Sequence, residues 1–173
     1  DPPIRSYQRA VRFAHERGIR VTARVSCFND QLVSKHHASM GIKGVSGHQY
    51  RNGWLNPMDE RAQAYVADLV REVIGFGVDE VQLDYVRFPV LGMKNIDFGL
   101  DTRKEPRAKV EVITKFVERI HAITHAHDVP LSLDVFGVIA FGKKVDIQNL
   151  GQDPAELSKH AEFLSAMVYP SHY

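Results

Sequence analysis

Two spacings of apolar residues take turns along this chain. Across residues 6–17, Ala10, Val11, Phe13 and Ala14 recur at helical spacing, and Gly18 follows as a C-terminal stop. Residues 19–28 then read as a strand. The clearest helix starts near Asn56-Pro57, places Asp59 and Glu60 in its first turn, and runs to about Phe76 before Gly77. A second strand over 78–88 is ended by Pro89. A helix over about 104–127 leads to a strand at 131–136, stopped by Gly137. A shorter helix around 154–161 precedes a last strand at 163–169, ahead of Pro170.

Strand, helix, strand, helix in succession implies βαβ crossovers and a parallel sheet. A doubly wound nucleotide-binding fold wants a glycine-rich turn after its first strand. None is present, since Gly137 and Gly142 lack the fingerprint spacing. The expected architecture is therefore α/β, a partial (β/α)8 barrel. A complete barrel needs roughly 250 residues and eight strands, and the pattern supplies about four strand–helix units. Residues 1–173 are accordingly read as a fragment of one barrel domain. Half a barrel exposes two parallel edges, so poor stability in isolation is expected. Residues 29–55 form a long insertion rich in Gly, His and Ser, and loops of that length are often functional.

Composition narrows the picture further. At 44% hydrophobic and 25% charged, with a formal net charge of +1, the chain has enough apolar residues for a core and is not a disordered sequence. Basic residues are interleaved with acids, as in Arg103, Lys104, Glu105, Arg107, Lys109 and Glu111, which gives no basic patch for nucleic acid. No stretch approaches the roughly 18 apolar residues that cross a bilayer, so no membrane contact is expected of this segment. The chain opens at Asp1 rather than Met, so the lack of a visible signal peptide carries no information. The single cysteine, Cys27, excludes an intrachain disulfide, and its apolar neighbours suit a buried thiol better than a nucleophile.

Parity along the strands locates the candidate chemistry. Val81, Leu83 and Tyr85 share one face, with Gln82 and Asp84 on the other; Leu131, Leu133 and Val135 likewise oppose Ser132 and Asp134. In the first strand Val21, Ala23, Val25 and Cys27 face helices, leaving Thr22, Arg24 and Ser26 inward. A carboxylate pointing into a barrel is costly unless it is paired or solvated at the mouth. One reading is an internal ion pair of Arg24 with Asp84 or Asp134. The other is catalysis, because two carboxylates flanking a bond are the apparatus of glycoside hydrolysis. Trp54 can stack on a sugar ring, with Asn56 and Tyr50 offering hydrogen bonds, or can instead act as a hydrophobic staple for the following helix. Tyr169 and His172 follow the last strand at the same rim. His121, His125 and His127 share helical spacing but lack the Glu of a zincin motif, so exposed histidines are expected and no metal is assigned.

The segment Val78-Asp79-Glu80-Val81-Gln82-Leu83-Asp84-Tyr85-Val86-Arg87-Phe88-Pro89 closely resembles the GFDEIQFDYVRFP signature of the bacterial "putative glycosyl hydrolase domain" family, whose members look like α-amylase-type barrels. Further segments match in order. They are Arg24-Val25-Ser26-Cys27-Phe28-Asn29-Asp30, Trp54-Leu55-Asn56-Pro57, Leu133-Asp134-Val135-Phe136-Gly137, Gly151-Gln152 and Met167-Val168-Tyr169-Pro170-Ser171-His172-Tyr173. The resemblance covers essentially the whole chain and implies about the third through sixth strands of the barrel. It places the catalytic Asp of the fourth strand at Asp84. The fifth-strand acid/base, usually Glu in such barrels, falls on Asp134.

The resulting expectation is hydrolysis of a polysaccharide or cell-envelope glycan without a cofactor, with an extracytoplasmic or cell-envelope location. Asp84 serves as nucleophile and Asp134 as acid/base; Arg24, Asp30, Trp54, Asn56, Tyr85, Arg87, Tyr169 and His172 contact substrate or orient the carboxylates. The rivals are a non-catalytic carbohydrate-binding barrel and a metal-dependent lyase or deacetylase.

Overall fold

The structure, a computed structural model, describes residues 6–48, 53–90, 96–100 and 104–169. Helix α1 (Tyr7–His15) leads into β1 (Thr22–Ser26). The insertion that follows contains α2 (Gln31–His36), a 3-10 turn (Ala38–Met40) and β2 (Lys43–Gly44). Then come α3 (Glu60–Gly75), β3 (Glu80–Asp84), β4 (Ile96–Asp97), α4 (Ala108–His125) and β5 (Leu131–Phe136). A 3-10 turn (Gly137–Phe141), α5 (Lys144–Leu150), α6 (Pro154–Leu157) and β6 (Phe163–Met167) complete the described chain.

Strands β1, β3, β5 and β6 form one parallel sheet in that order, the arrangement of consecutive strands in a partial (β/α)8 barrel. Each neighbouring pair is linked through helices, as parallel strands require. The strand parity read from the sequence sorts the two faces. Val25, Val81, Leu83, Leu131 and Leu133 are buried in the same core cluster as Val66 and Val70 of α3 and Ile113, Phe116 and Ile120 of α4. Each fully buried aliphatic side chain contributes about 1.5–3 kcal/mol to holding helix on sheet. The other face carries Arg24, Gln82, Asp84, Ser132 and Asp134, and its polar groups are satisfied across strands: Ser132 Oγ donates to Glu80 Oε1 at 2.6 Å, and Gln82 Nε2 to Asp134 Oδ1 at 3.0 Å.

Element boundaries depart from the pattern in places with physical causes. The long helix starts at Glu60, not near Asn56-Pro57. Asp59 is its N-cap, accepting from Arg61 N at 2.9 Å, while Asn56 closes a local turn by accepting from Met58 N at 3.1 Å. Strand β3 ends at Asp84 because Tyr85 adopts φ 53°, a left-handed conformation that stops the ladder. The insertion is more ordered than a loop. Asn29 bridges Trp54, Gly41 bridges Leu55, and fully buried Ile42 and Leu55 anchor it to the core. Its strand β2 pairs antiparallel with β4, joining the loops that follow β1 and β3.

Candidate active site

Asp84 and Asp134 approach each other at the C-terminal ends of neighbouring strands. The β3–β5 register pairs Leu83 with Leu133, so the next step sets Asp84 opposite Asp134. Asp84 is nearly inaccessible, and both its oxygens have donors: Tyr85 N–H to Oδ1 at 2.7 Å, and Arg24 Nη2 to Oδ2. Arg24 reaches from β1, where Ser26 pairs with Asp84, and its Nε also lies 3.9 Å from Asp134 Oδ2. One guanidinium therefore spans both carboxylates. Its own side chain remains 58% exposed, so it meets the pair from the open side.

The two carboxyls differ in environment. Burial first, and then the negative charge of Asp84, push the Asp134 carboxyl above the usual carboxylate range, with Arg24 pulling partly back. A raised carboxyl beside a donor-clamped carboxylate is the asymmetry that lets one group give a proton while the other presents an oxygen. Cys27, whose backbone N–H donates to Asp84 O at 2.8 Å, is fully buried; burial and then Asp84 hold its thiol well above the ordinary value, which disfavours the thiolate a nucleophile needs.

The remaining candidates fall in two groups. Arg87 is 6% exposed and packs its guanidinium over Phe136 at 4.4 Å, Trp54 at 4.9 Å and Tyr85 at 5.6 Å. It donates from Nη1 to Phe88 O at 3.0 Å, its buried Nε has no acceptor among the described residues, and burial brings its pKa down to about 10. Trp54 also meets Tyr85 edge-on at 5.8 Å, so these side chains form one stack beside Asp84. Tyr169, just past β6, is exposed and touches Met167 Sδ through its hydroxyl at 3.3 Å. Asp30 is engaged elsewhere: it caps α2 by accepting from Val33 N at 2.8 Å and accepts from the Tyr65 hydroxyl at 3.0 Å. Burial and that contact push the Tyr65 phenol up to about 12. Asn56 is held by its turn. His172 and Tyr50 lie outside the described residues.

Two amides add to the site beyond the residues that the sequence pattern singles out. Gln82 supplies the hydrogen bond to Asp134, and strand parity already placed it inward. Gln152, fully buried, donates from Nε2 to Asp134 O at 3.2 Å and Val86 O at 3.4 Å, and accepts from Phe136 N at 3.1 Å. Nothing in its local sequence signals those partners beyond the Gly-Gln motif. The histidines sit at the opposite end of the sheet: His121 stacks on His125 at 5.5 Å and lies 3.5 Å from Glu162, whose other oxygen accepts from Leu131 N. Among the described residues no His, Cys, Asp or Glu cluster is arranged to hold a metal, and no helix is long and apolar enough to cross a membrane.

Solved structures share this architecture. A hypothetical protein from Ruminiclostridium thermocellum is 27% identical with a TM-score of 0.61, over 75% of this chain and 66% of that one. The PgaB (BpsB) glycoside hydrolase domain from Bordetella bronchiseptica is 13% identical with a TM-score of 0.66, over 91% and 53%. Ega3 from Aspergillus fumigatus, in complex with galactosamine, is 16% identical with a TM-score of 0.57, over 96% and 61%. The chain thus spans just under two thirds of the first of these proteins and less of the other two. No curated protein sequence matches it. A family model matches residues 1–173 throughout, and the chain belongs to the "Putative glycosyl hydrolase domain" family.

Proposed function

We propose that this protein hydrolyses glycosidic bonds of a polysaccharide or cell-envelope glycan with Asp84 as nucleophile and Asp134 as acid/base. The observation that carries the reading is the carboxylate pair: two aspartates on adjacent parallel strands, spanned by Arg24, with the Asp134 carboxyl pushed up by burial and by its neighbour. Membership of the family and the glycoside hydrolase neighbours support the reaction class.

In the first step an Asp84 oxygen attacks the anomeric carbon while Asp134 gives its proton to the glycosidic oxygen, and the aglycone leaves as an alcohol. In the second, Asp134, now a carboxylate, takes a proton from water; the hydroxyl adds to the anomeric carbon and releases Asp84. Adjacent parallel strands lie about 4.8 Å apart, close to the roughly 5–5.5 Å carboxyl separation of retaining enzymes. Retention of anomeric configuration follows. Arg24 orients both carboxylates, and the Trp54–Arg87–Tyr85 stack and Tyr169 form the rim for sugar rings. The galactosamine bound by Ega3 makes amino sugars a reasonable starting ligand class.

One observation favours a second reading. Both aspartates are tied to a single arginine, as in an internal ion pair, and a barrel kept only to bind glycans would look the same. The deciding experiment uses the full-length protein and Asp84→Asn against a panel of bacterial and plant polysaccharides. Reducing ends released by wild type alone, with the product anomer retained by NMR, support hydrolysis. Glycan binding by both proteins with no release from either supports the binding module.

A further inference from the structure

The seam between β3 and β5 lacks backbone pairing at the level where it matters. Pairing of β1 with β3 runs on to Ser26–Asp84, with Cys27 N donating to Asp84 O at 2.8 Å, and β5 pairs with β6 out to Phe136–Met167. The β3–β5 register stops at Leu83–Leu133, one step short of the aspartates. Tyr85, at φ 53°, has by then turned the β3 exit away from the ladder.

Gln152 occupies that gap. Its side-chain amide has the donor and acceptor of a peptide group. It uses them as a ladder rung would, giving Nε2 protons to Asp134 O at 3.2 Å and Val86 O at 3.4 Å and taking the Phe136 N–H on Oε1 at 3.1 Å. Two features deliver it there. Phe88 N donates to Leu150 O at 2.8 Å, fastening the end of α5 to the β3 exit. Gly151, at φ 76°, ends α5 against α4, where a Cβ would stand 2.7 Å from Lys109 O and 2.9 Å from Ile113 Cγ1. The glycine permits the approach and the glutamine spans the strands.

We propose that Gln152 is a positioning residue that fixes the separation of Asp84 and Asp134, acting as a side-chain rung between the ends of β3 and β5. This rests on the reading of the two aspartates as the catalytic pair. Carboxyl separation sets both stereochemical outcome and the mutual influence of the two groups. The groups facing Asp134 are Asp84 and Gln82 from β3, Arg24 from β1 and Ser165, its register partner on β6. Loosening the seam moves Asp84 relative to this set.

The test compares wild type, Gln152→Met and Gln152→Asn in the full-length protein, with folding checked by circular dichroism. Methionine keeps the volume and removes all three hydrogen bonds; asparagine keeps the amide but falls a methylene short. Displacements of about 1 Å can cost about 100-fold in turnover. In Gln152→Met we expect kcat to fall about 10–100-fold with KM within about threefold, and Asp134, followed by 13C NMR of its carboxyl, to titrate closer to the ordinary aspartate value. Should Gln152→Met not fold, Gln152→Asn carries the same test with a smaller change in the same direction. A folded variant whose Asp134 titration and kcat match wild type overturns the proposal, as does an activity loss no larger than the loss of folded protein. The titration needs no turnover, so a wild type that hydrolyses nothing defeats the catalytic reading and leaves this test standing.

Discussion

Asp134 is the residue whose charge state the fold disturbs most usefully. Its folded pKa is raised, by burial first and Asp84 second, so the native state binds this proton more tightly than the unfolded chain does. Its contribution to stability is complete below the unfolded pKa and is lost as pH rises through the folded value. Asp134→Asn should therefore raise the melting temperature at neutral pH, with the two proteins converging in acid; scanning calorimetry from pH 3 to 8 checks this. A variant less stable than wild type at neutral pH would mean that the Gln82 and Arg24 contacts outweigh the burial cost. Which residues face the site was legible in the sequence, because a strand repeats every two residues and hydrophobic partners such as Leu83 and Leu133 fix the parity. What Asp30 and Gln152 do was not. A helix cap and a side-chain rung depend on what tertiary packing brings alongside them, and no local periodicity encodes it.

At the scale of elements, one carboxylate pins α1 to the sheet. Asp79 Oδ2 accepts from Val21 N at 2.6 Å and contacts His15 Nε2 at 2.8 Å. Those contacts, the Val21 N–H first, hold its carboxyl below the usual range. A lowered carboxyl stabilises above the unfolded pKa and loses that contribution as pH falls through the folded value. Asp79→Asn should lower the melting temperature of the full-length protein by a few degrees at neutral pH and by less in acid. Gly151→Ala should cost roughly 2–4 kcal/mol in denaturant unfolding, from a left-handed backbone and the clash with Lys109 O together. Long periodic elements such as α3, α4 and β5 could be read directly. The short helices α2 and α5 could not: each is seven residues or fewer, too short to be stable alone, and each is held by tertiary contacts, α2 through its cap Asp30 to Tyr65 of α3 and α5 through Leu150 O to Phe88 N.

On the scale of the whole molecule, the sheet has two open flanks among the described residues. β1 and β6 each have one sheet neighbour, Arg24 and Phe163 on them are exposed, and a groove of about 490 Å³ lined by Tyr7, Val11, Val21, Val25, Leu69 and Phe76 runs along the outer side of β1. Unpaired parallel edges beside exposed apolar surface favour association over a stable monomer. Residues 1–173 expressed alone should melt without a cooperative transition or elute as aggregates. A sharp monomeric transition would show that these four strands are self-sufficient.

Whether the two aspartates carry out the chemistry is decided by the hydrolysis rates of full-length wild type, Asp84→Asn and Asp134→Asn on one glycan, each shown to be folded. Asp84→Asn should lose about three orders of magnitude or more, as for removal of a nucleophile. Asp134→Asn should lose about 100- to 10,000-fold, as for removal of a general acid. The wild-type kcat/KM should also fall as pH rises through the raised Asp134 pKa, a limb that Asp134→Asn should lack. Near-wild-type rates in either folded variant would mean that the two aspartates are not the catalytic pair.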